Sequence, residues 1–375
     1  MSSLNDCNDA DNMVLVEEGA SSRTIILNRP NVLNALLTPM LTNLVKATGL
    51  LVFYTKGNGR SFCAGGDVVT LYRLLSEGRV EECKECFRTF YSLMYRLNTY
   101  LKPHVAIMNG ITMGGGAGLS VHGSFCIATE KTVFAIPEVL IGSHPDAGAS
   151  YYLSHLPGHL GEYLGLTGGR LSGEELLACG FATHYIPSAR LPLIEEQLRT
   201  LAVHDFSAME TFLAKHSEHV YPNENSILHR VETLNKCFGH DTVEEIIGAL
   251  VRESEVAETN DEWCISTLKK LREAPPLSLK ISLKSIQKAR FETLEECLKR
   301  EYRMSMRMIS RQISNDFCEG VRTRLVEKSF APKWDPPCLE QVTEEMVNAY
   351  FERISVDEPE LELPNKLRKA SHANV

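Results

Sequence analysis

The sequence predicts an α/β protein whose chain continues into a mainly helical C-terminal extension. Three observations carry that prediction. Short β-branched and apolar runs alternate with helical windows through the first half of the chain. Two of these runs exit into glycine-rich loops, Ala64-Gly65-Gly66-Asp67 and Met113-Gly114-Gly115-Gly116. Beyond about Val203 the β signal fades, and Glu/Lys/Arg-rich windows of helical period take over.

Taken in order, residues 1–12 are polar and read as a flexible terminus, as do residues 351–375. Met13 to Val16 and Thr24 to Leu27 read as strands, the second stopped by the turn signal Asn28-Arg29-Pro30. Thr38 to Ala47 suits a short helix, and Leu50 to Thr55 suits a buried strand. A glycine-punctuated loop over residues 57–67 follows. Val80 to Tyr100 predicts a long helix that stops before Pro103. Val105 to Met108, Phe125 to Ala128 and Val133 to Ala135 predict three more short strands. In the extension, Ile281 to Arg290 and Leu294 to Ile309 are the clearest helical windows, with breaks at Pro275-Pro276 and Pro336-Pro337. The expected organisation is a core over residues 13–205 and a helical extension over 206–350, without an internal repeat or low-complexity linker.

The 375 residues are 43% hydrophobic and 23% charged, which excludes disordered, collagen-like and disulfide-stapled classes. A formal charge of −9 argues against a general nucleic-acid binder, because phosphate binding needs a basic face. It leaves room for an anionic ligand held locally by backbone amides. No stretch is apolar enough over the length of a bilayer, so no membrane partner is expected. The eleven cysteines are odd in number and scattered, and the close pair Cys83/Cys86 lacks the second pair of a zinc site. Reduced thiols of an intracellular protein are expected. Neither end carries a recognisable secretory, transit or peroxisomal address.

Several signatures are missing: there is no G-x-G-x-x-G opening a helix, no G-x-x-x-x-G-K-[ST] and no G-x-S-x-G. Two glycine-rich strand exits and a carboxylate pair remain. At Met113 to Gly118 a helix is expected to start, and its first-turn amides could donate to a carbonyl oxygen becoming negative. Close helix-to-sheet packing through small residues explains the same glycines equally well. Ala64-Gly65-Gly66-Asp67 poses the same choice at a second strand exit. Glu138 lies between a strand and an apolar run, and Asp146 follows in a turn behind Pro145. A carboxylate in apolar surroundings gains proton affinity, which suits a base or proton shuttle near neutrality. The plainer alternative is a helix cap at Glu138 and a turn residue at Asp146. His144 with these two acids matches no standard ligand spacing, so no metal is expected. Met304, Met306 and Met308 read as core filling.

Together these residues resemble the crotonase (enoyl-CoA hydratase/isomerase) superfamily, and within it the 3-hydroxyisobutyryl-CoA hydrolases. The resemblance rests on Leu27-Asn28-Arg29-Pro30, Ser61 to Asp67, Asn109 to Gly116, Pro137-Glu138, Pro145-Asp146, Leu166-Thr167-Gly168, Ala182-Thr183-His184 and Pro332-Lys333-Trp334. It implies a crotonase-like core of (ββα) repeats and an acyl-CoA substrate, with no cofactor. It further implies an oxyanion hole from the amides of Gly66 and Gly115, with Ala64, Gly65 and Asp67 along the CoA. Glu138 matches the carboxylate that attacks the thioester or activates water, and Asp146 the group that binds the substrate hydroxyl and handles protons. Gly118 stands where the hydratases carry a second glutamate, so thioester cleavage is implied over hydration, in the first place of 3-hydroxyisobutyryl-CoA in valine breakdown. A hydratase or isomerase, or a catalytically impaired acyl-CoA-binding protein, are the alternatives. The family's members work in mitochondria or peroxisomes, and a homo-oligomer is compatible with the helical remainder as support or assembly surface. The chain departs from the family in two places. It is about a dozen residues shorter between Leu36 and the Leu50 strand, implying a truncated first helix. It also has no acid around Thr89-Phe90.

Overall fold

A computed structural model describes residues 12–19, 22–48, 52–200, 205–256, 262–353, 355 and 358–364. In chain order its strands are β1 (Val14–Glu18), β2 (Ser22–Leu27), β3 (Val52–Gly57), β4 (Ser61–Cys63), β5 (His104–Met108), β6 (Ile111–Met113), β7 (Phe125–Ala128), β8 (Val133–Ala135), β9 (Arg170–Ser172) and β10 (His184–Tyr185). They form a six-stranded sheet, β1-β2-β3-β5-β7-β10, and a four-stranded sheet, β4-β6-β8-β9. β1 and β9 run antiparallel to their neighbours and every other pairing is parallel. β3, β5 and β7 each enter the large sheet, and the strand that follows each one enters the small sheet. Helical segments come next, so the chain repeats a ββα unit. β5 and β7 are buried at every position, which is why they read as unbroken apolar runs rather than alternating ones.

The helix Thr38–Ala47 forms where its pattern predicts, with a proline in its first turn and Met40, Leu41, Leu44 and Ala47 turned into the core. Ten residues make about 15 Å of helix. The first crossover therefore keeps the short helix predicted for it. The predicted strand start at Leu50 lies outside the described residues. The long helix Val80–Asn98 and the strands Phe125–Ala128 and Val133–Ala135 also stand where expected.

The extension is helical, and it shares its interior with the sheets. One buried cluster joins Ile25, Phe62 and Tyr91 to Leu298, Tyr302 and Met304. Tyr91 and Tyr302 meet edge to face at 6.0 Å between ring centres, tying the helix Leu294–Ser310 to Val80–Asn98. Met304, Met306 and Met308 are all buried, as core filling requires. No described helix is long and apolar enough to cross a membrane. Ten cysteines among the described residues are free thiols.

One buried side chain fixes the approach to β4. Asn34 is fully buried and, like Leu33 before it, takes a left-handed backbone. Its Nδ2 donates to the carbonyls of Asn58 (3.0 Å), Ser61 (2.9 Å) and Phe62 (3.2 Å), while its Oδ1 accepts from the Arg29 amide at 2.8 Å. Asn34→Ala strands those groups in the interior and imposes a less tolerated residue on a positive φ. We expect a loss of about 2–4 kcal/mol. Urea unfolding should show a lower midpoint at unchanged slope, and an unchanged midpoint would contradict this role.

Candidate active site

β4, β6 and β8 are parallel neighbours, with Ser61 paired to Ile111 and Ile111 to Val133. Their carboxyl ends therefore point the same way, and each runs directly into one predicted site segment. β4 leads to Ala64–Asp67, β6 to Gly114–Gly116 and β8 to Pro137-Glu138. Carboxyl ends of parallel strands are the usual ligand edge of an α/β sheet. Here they open on a cavity of about 540 Å³. Ala64, Gly65, Gly66, Gly114, Gly115, Glu138 and Asp146 all line it, with Leu41, Leu71, Phe87 and Phe90 forming apolar wall.

The glycines divide between the two roles left open by their sequence. A methyl group at Gly116 would stand 2.1 Å from the Cys63 carbonyl oxygen, so this residue is there for close packing of helix on strand. Gly114 and Gly115 face the cavity instead. Gly115 is the first residue of the helix Gly115–Val121, so its amide has no intrahelical acceptor. Among the described residues, neither the Gly115 nor the Gly66 amide donates to a protein acceptor. The two lie close together: a methyl on Gly115 would sit 3.6 Å from the Gly66 nitrogen. Gly66 itself has open space where a side chain would be.

Glu138 opens the 3-10 turn Glu138–Ile141 behind Pro137. The residue is only partly covered, yet both carboxylate oxygens are shielded from solvent and neither has a hydrogen-bond partner. Burial pushes its carboxyl well above the usual range, and the charge of Asp146 pushes the same way. Burial raises Asp146 to about 8, with Glu301 adding to the shift. With both carboxyls raised, the pair holds at least one proton near neutrality, leaving one able to act as base and the other as acid.

Asp67 lies apart from this set. Its Oδ1 caps the helix Val68–Ser76 by accepting from the Thr70 amide at 3.0 Å, and its Oδ2 pairs with Arg29 at 3.0 Å. It faces a neighbouring groove rather than the cavity. Phe90 sits where no acid was found in the sequence, and its ring packs so near Gly115 that a methyl there would meet Cζ at 2.8 Å. Among the described residues, no group of three or more His, Cys, Asp or Glu side chains is arranged to hold a metal.

The extension contributes more than support. Met308, Phe317, Arg324, Leu325 and Phe330 complete the cavity wall. Glu301, fully buried, reaches under the Asp146 turn: its carboxylate accepts from the Gly148 amide at 2.7 Å and from the Ser150 amide and hydroxyl at 2.9 and 2.5 Å. Sequence reasoning missed it, although a signal exists. Leu294, Cys297, Leu298, Glu301, Ser305 and Met308 recur at helical spacing, which puts an acid on an otherwise apolar stripe.

At Gly118 the neighbouring turn leaves no room for a side chain. A methyl group there would lie 2.5 Å from the Ala147 methyl and 2.9 Å from the Ala147 oxygen. The Asp146–Gly148 turn occupies the room that a glutamate at 118 would need.

The raised carboxyls have a consequence for stability. Unfolded, an Asp titrates near 4, and folded Asp146 keeps its proton to about 8, so the native state binds the extra proton and stability falls as pH rises through that window. Burial lowers His122 and His144 to about 4, so they act in the opposite direction, adding stability as pH rises from about 4 to 6.5. From about pH 6.5 to 8 only the carboxyl effect remains, and the melting temperature should fall. Asp146→Asn should melt higher than wild type at pH 8 and show a flatter profile. Parallel profiles would contradict the raised proton affinity.

This fold and this edge of strands define a class. The chain belongs to the enoyl-CoA hydratase/isomerase (crotonase) family, whose profile matches residues 22–351. The structure is similar to a carnitinyl-CoA dehydratase from Mycobacterium thermoresistibile, with TM-score 0.83 and 32% identity over 94% of this chain and 99% of that one. Among curated relatives, the chain is 53% identical to the 3-hydroxyisobutyryl-CoA hydrolase-like protein 1, mitochondrial, of Arabidopsis thaliana, covering 96% of this chain and 92% of the relative. It is also 51% identical to the small ribosomal subunit protein mS47 of the same plant, covering 96% and 90%.

Proposed function

We propose that this protein hydrolyses a short 3-hydroxyacyl-CoA thioester, in the first place 3-hydroxyisobutyryl-CoA, to the hydroxy acid and CoA, as in valine breakdown. The observation that carries this reading is one cavity that joins two neighbouring backbone amides without protein acceptors to two carboxyls of raised proton affinity. The hydrolase-like relative supports the same substrate class.

The amides of Gly66 and Gly115 donate to the thioester oxygen as it becomes negative, each contributing about 3 kcal/mol to the transition state. Glu138, in the form in which it has given up its proton while Asp146 keeps its own, attacks the carbonyl carbon or takes a proton from the attacking water. The C–S bond breaks, and the sulfur leaves as CoA thiol once a proton reaches it. Where Glu138 was the nucleophile, water then attacks the acyl–Glu138 anhydride, frees the hydroxy acid and restores the Glu138 carboxylate. In either route one proton of that water returns to Asp146. Asp146, which holds a proton to about pH 8, supplies that proton and orients the substrate hydroxyl. Hydration needs a second acid beside the double bond, and the filled space at Gly118 disfavours it.

A free-thiol assay tests this. We expect thiol release from 3-hydroxyisobutyryl-CoA, with kcat/KM lower by about 10- to 100-fold for isobutyryl-CoA, which lacks the hydroxyl. Equal turnover of both would remove Asp146 from substrate recognition. A second reading, acyl-CoA binding without turnover in an assembly, is suggested by the ribosomal name of one relative. Tight CoA binding with no turnover of any short thioester would favour it.

A further inference from the structure

We infer that Glu301 is a positioning residue for the thioesterase site, its carboxylate holding the turn from Asp146 to Ser150 in the geometry that keeps Asp146 in the cavity. This inference rests on the function proposed above.

The turn closes on itself through one bond, the Ala149 amide donating to the Asp146 carbonyl at 2.8 Å, which leaves the Gly148 and Ser150 amides to be met from elsewhere. Ala147 and Gly148 are both left-handed, at φ 61° and 80°, and a non-glycine residue in that region needs its surroundings to keep it there. The helix Ala149–Ser154 begins from Gly148, which has no side chain to cap it. Apart from the Ala149 amide, the amides at its start would be orphaned in the interior. Glu301 supplies the missing acceptors from a helix about 150 residues further along the chain, with one oxygen on the Gly148 amide and the other on the Ser150 amide and hydroxyl. On the other side, His122 Nε2 lies 2.8 Å from the Ala147 carbonyl oxygen and donates to it. Clamped at both ends, the turn also fills the space beside Gly118.

A carboxylate is an expensive choice for this place. Glu301 is fully buried on a mostly apolar stripe, and its sequence neighbour Arg300, engaged by Glu292 and Ser285, also donates to the Ser150 hydroxyl at 3.3 Å. A neutral amide cannot replace it. A glutamine would have to turn its own N–H groups toward one of the two backbone donors. Charge-assisted acceptance by both oxygens is what the two ends of this turn require.

The test is a mutant cycle read by thiol release and KM. Glu301→Gln should lower kcat about 100-fold while KM stays within threefold, the size expected for a misplaced group rather than a lost binding contact. Ser150→Ala, which removes one of three contacts, should lower kcat about tenfold. The deciding arm places Glu301→Gln in an Asp146→Asn background. If Glu301 acts through Asp146, the second substitution adds less than about threefold. A further 100-fold loss in that background assigns Glu301 a general structural role and overturns the inference, as does an unchanged kcat in the single variant. Should Glu301→Gln fail to fold, Ser150→Ala in the same background decides by the same criterion. A wild-type protein without thiol release would contradict the proposed function, and this inference with it. An active wild type beside an unaffected Glu301→Gln overturns this inference alone.

Discussion

Glu138→Gln is expected to bind the CoA thioester about as tightly as wild type and to release thiol about 10³-fold more slowly. Gln has nearly the shape of Glu but neither attacks a carbonyl nor takes a proton from water, and positioned acid–base or nucleophilic groups typically contribute 10²–10⁴ in rate. The fold should tolerate the change. Both Glu138 oxygens are buried without partners and the acid already keeps its proton well above the usual range, so a neutral amide of the same shape should leave the melting temperature about unchanged. Titration calorimetry and a thiol assay on the same preparation check the two halves. A rate within tenfold of wild type would remove Glu138 from the chemistry.

Gly114→Ala should be nearly as damaging through a different route. Gly114 has φ 52° and ψ −124°, a conformation readily adopted by glycine alone, and imposing it on alanine costs about 1–3 kcal/mol. The added methyl would also stand 2.6 Å from Glu138 Oε1. Either the carboxylate moves or the start of the helix Gly115–Val121 moves, and with it the Gly115 amide. Displacements of about 1 Å cost roughly 10² in rate, so kcat should fall at least that far together with a lower melting temperature. Wild-type kcat in this variant would show that the Gly114 loop does not abut the reacting groups.

Much of this was readable in the chain. The strands over Phe125–Ala128 and Val133–Ala135 and the helix Thr38–Ala47 follow from local pattern: unbroken apolar runs in the strands, and a first-turn proline with an apolar face in the helix. The glycine loops were visible as candidates, but the division of labour between Gly115 and Gly116 was not. It depends on which residue meets the Cys63 carbonyl, and that contact spans 53 positions. Asp67 sits inside the motif, and its contacts with the Thr70 amide and Arg29 could not be read from that motif. Glu301 escaped notice because its partners are backbone amides about 150 residues away, which no sequence period records. Likewise the extension could be recognised as helical, whereas its placing of Met308, Arg324 and Phe330 against the cavity depends on tertiary packing.

The claim that this chain pairs an oxyanion hole with two carboxyls for thioester cleavage rather than hydration is tested most directly by following one reaction at two signals. Purified protein is mixed with 3-hydroxyisobutyryl-CoA and, separately, with a short enoyl-CoA, while free thiol and enoyl absorbance are recorded together. The account predicts stoichiometric thiol from the hydroxyacyl thioester and no loss of enoyl absorbance from the other. Loss of enoyl absorbance without thiol release would contradict it.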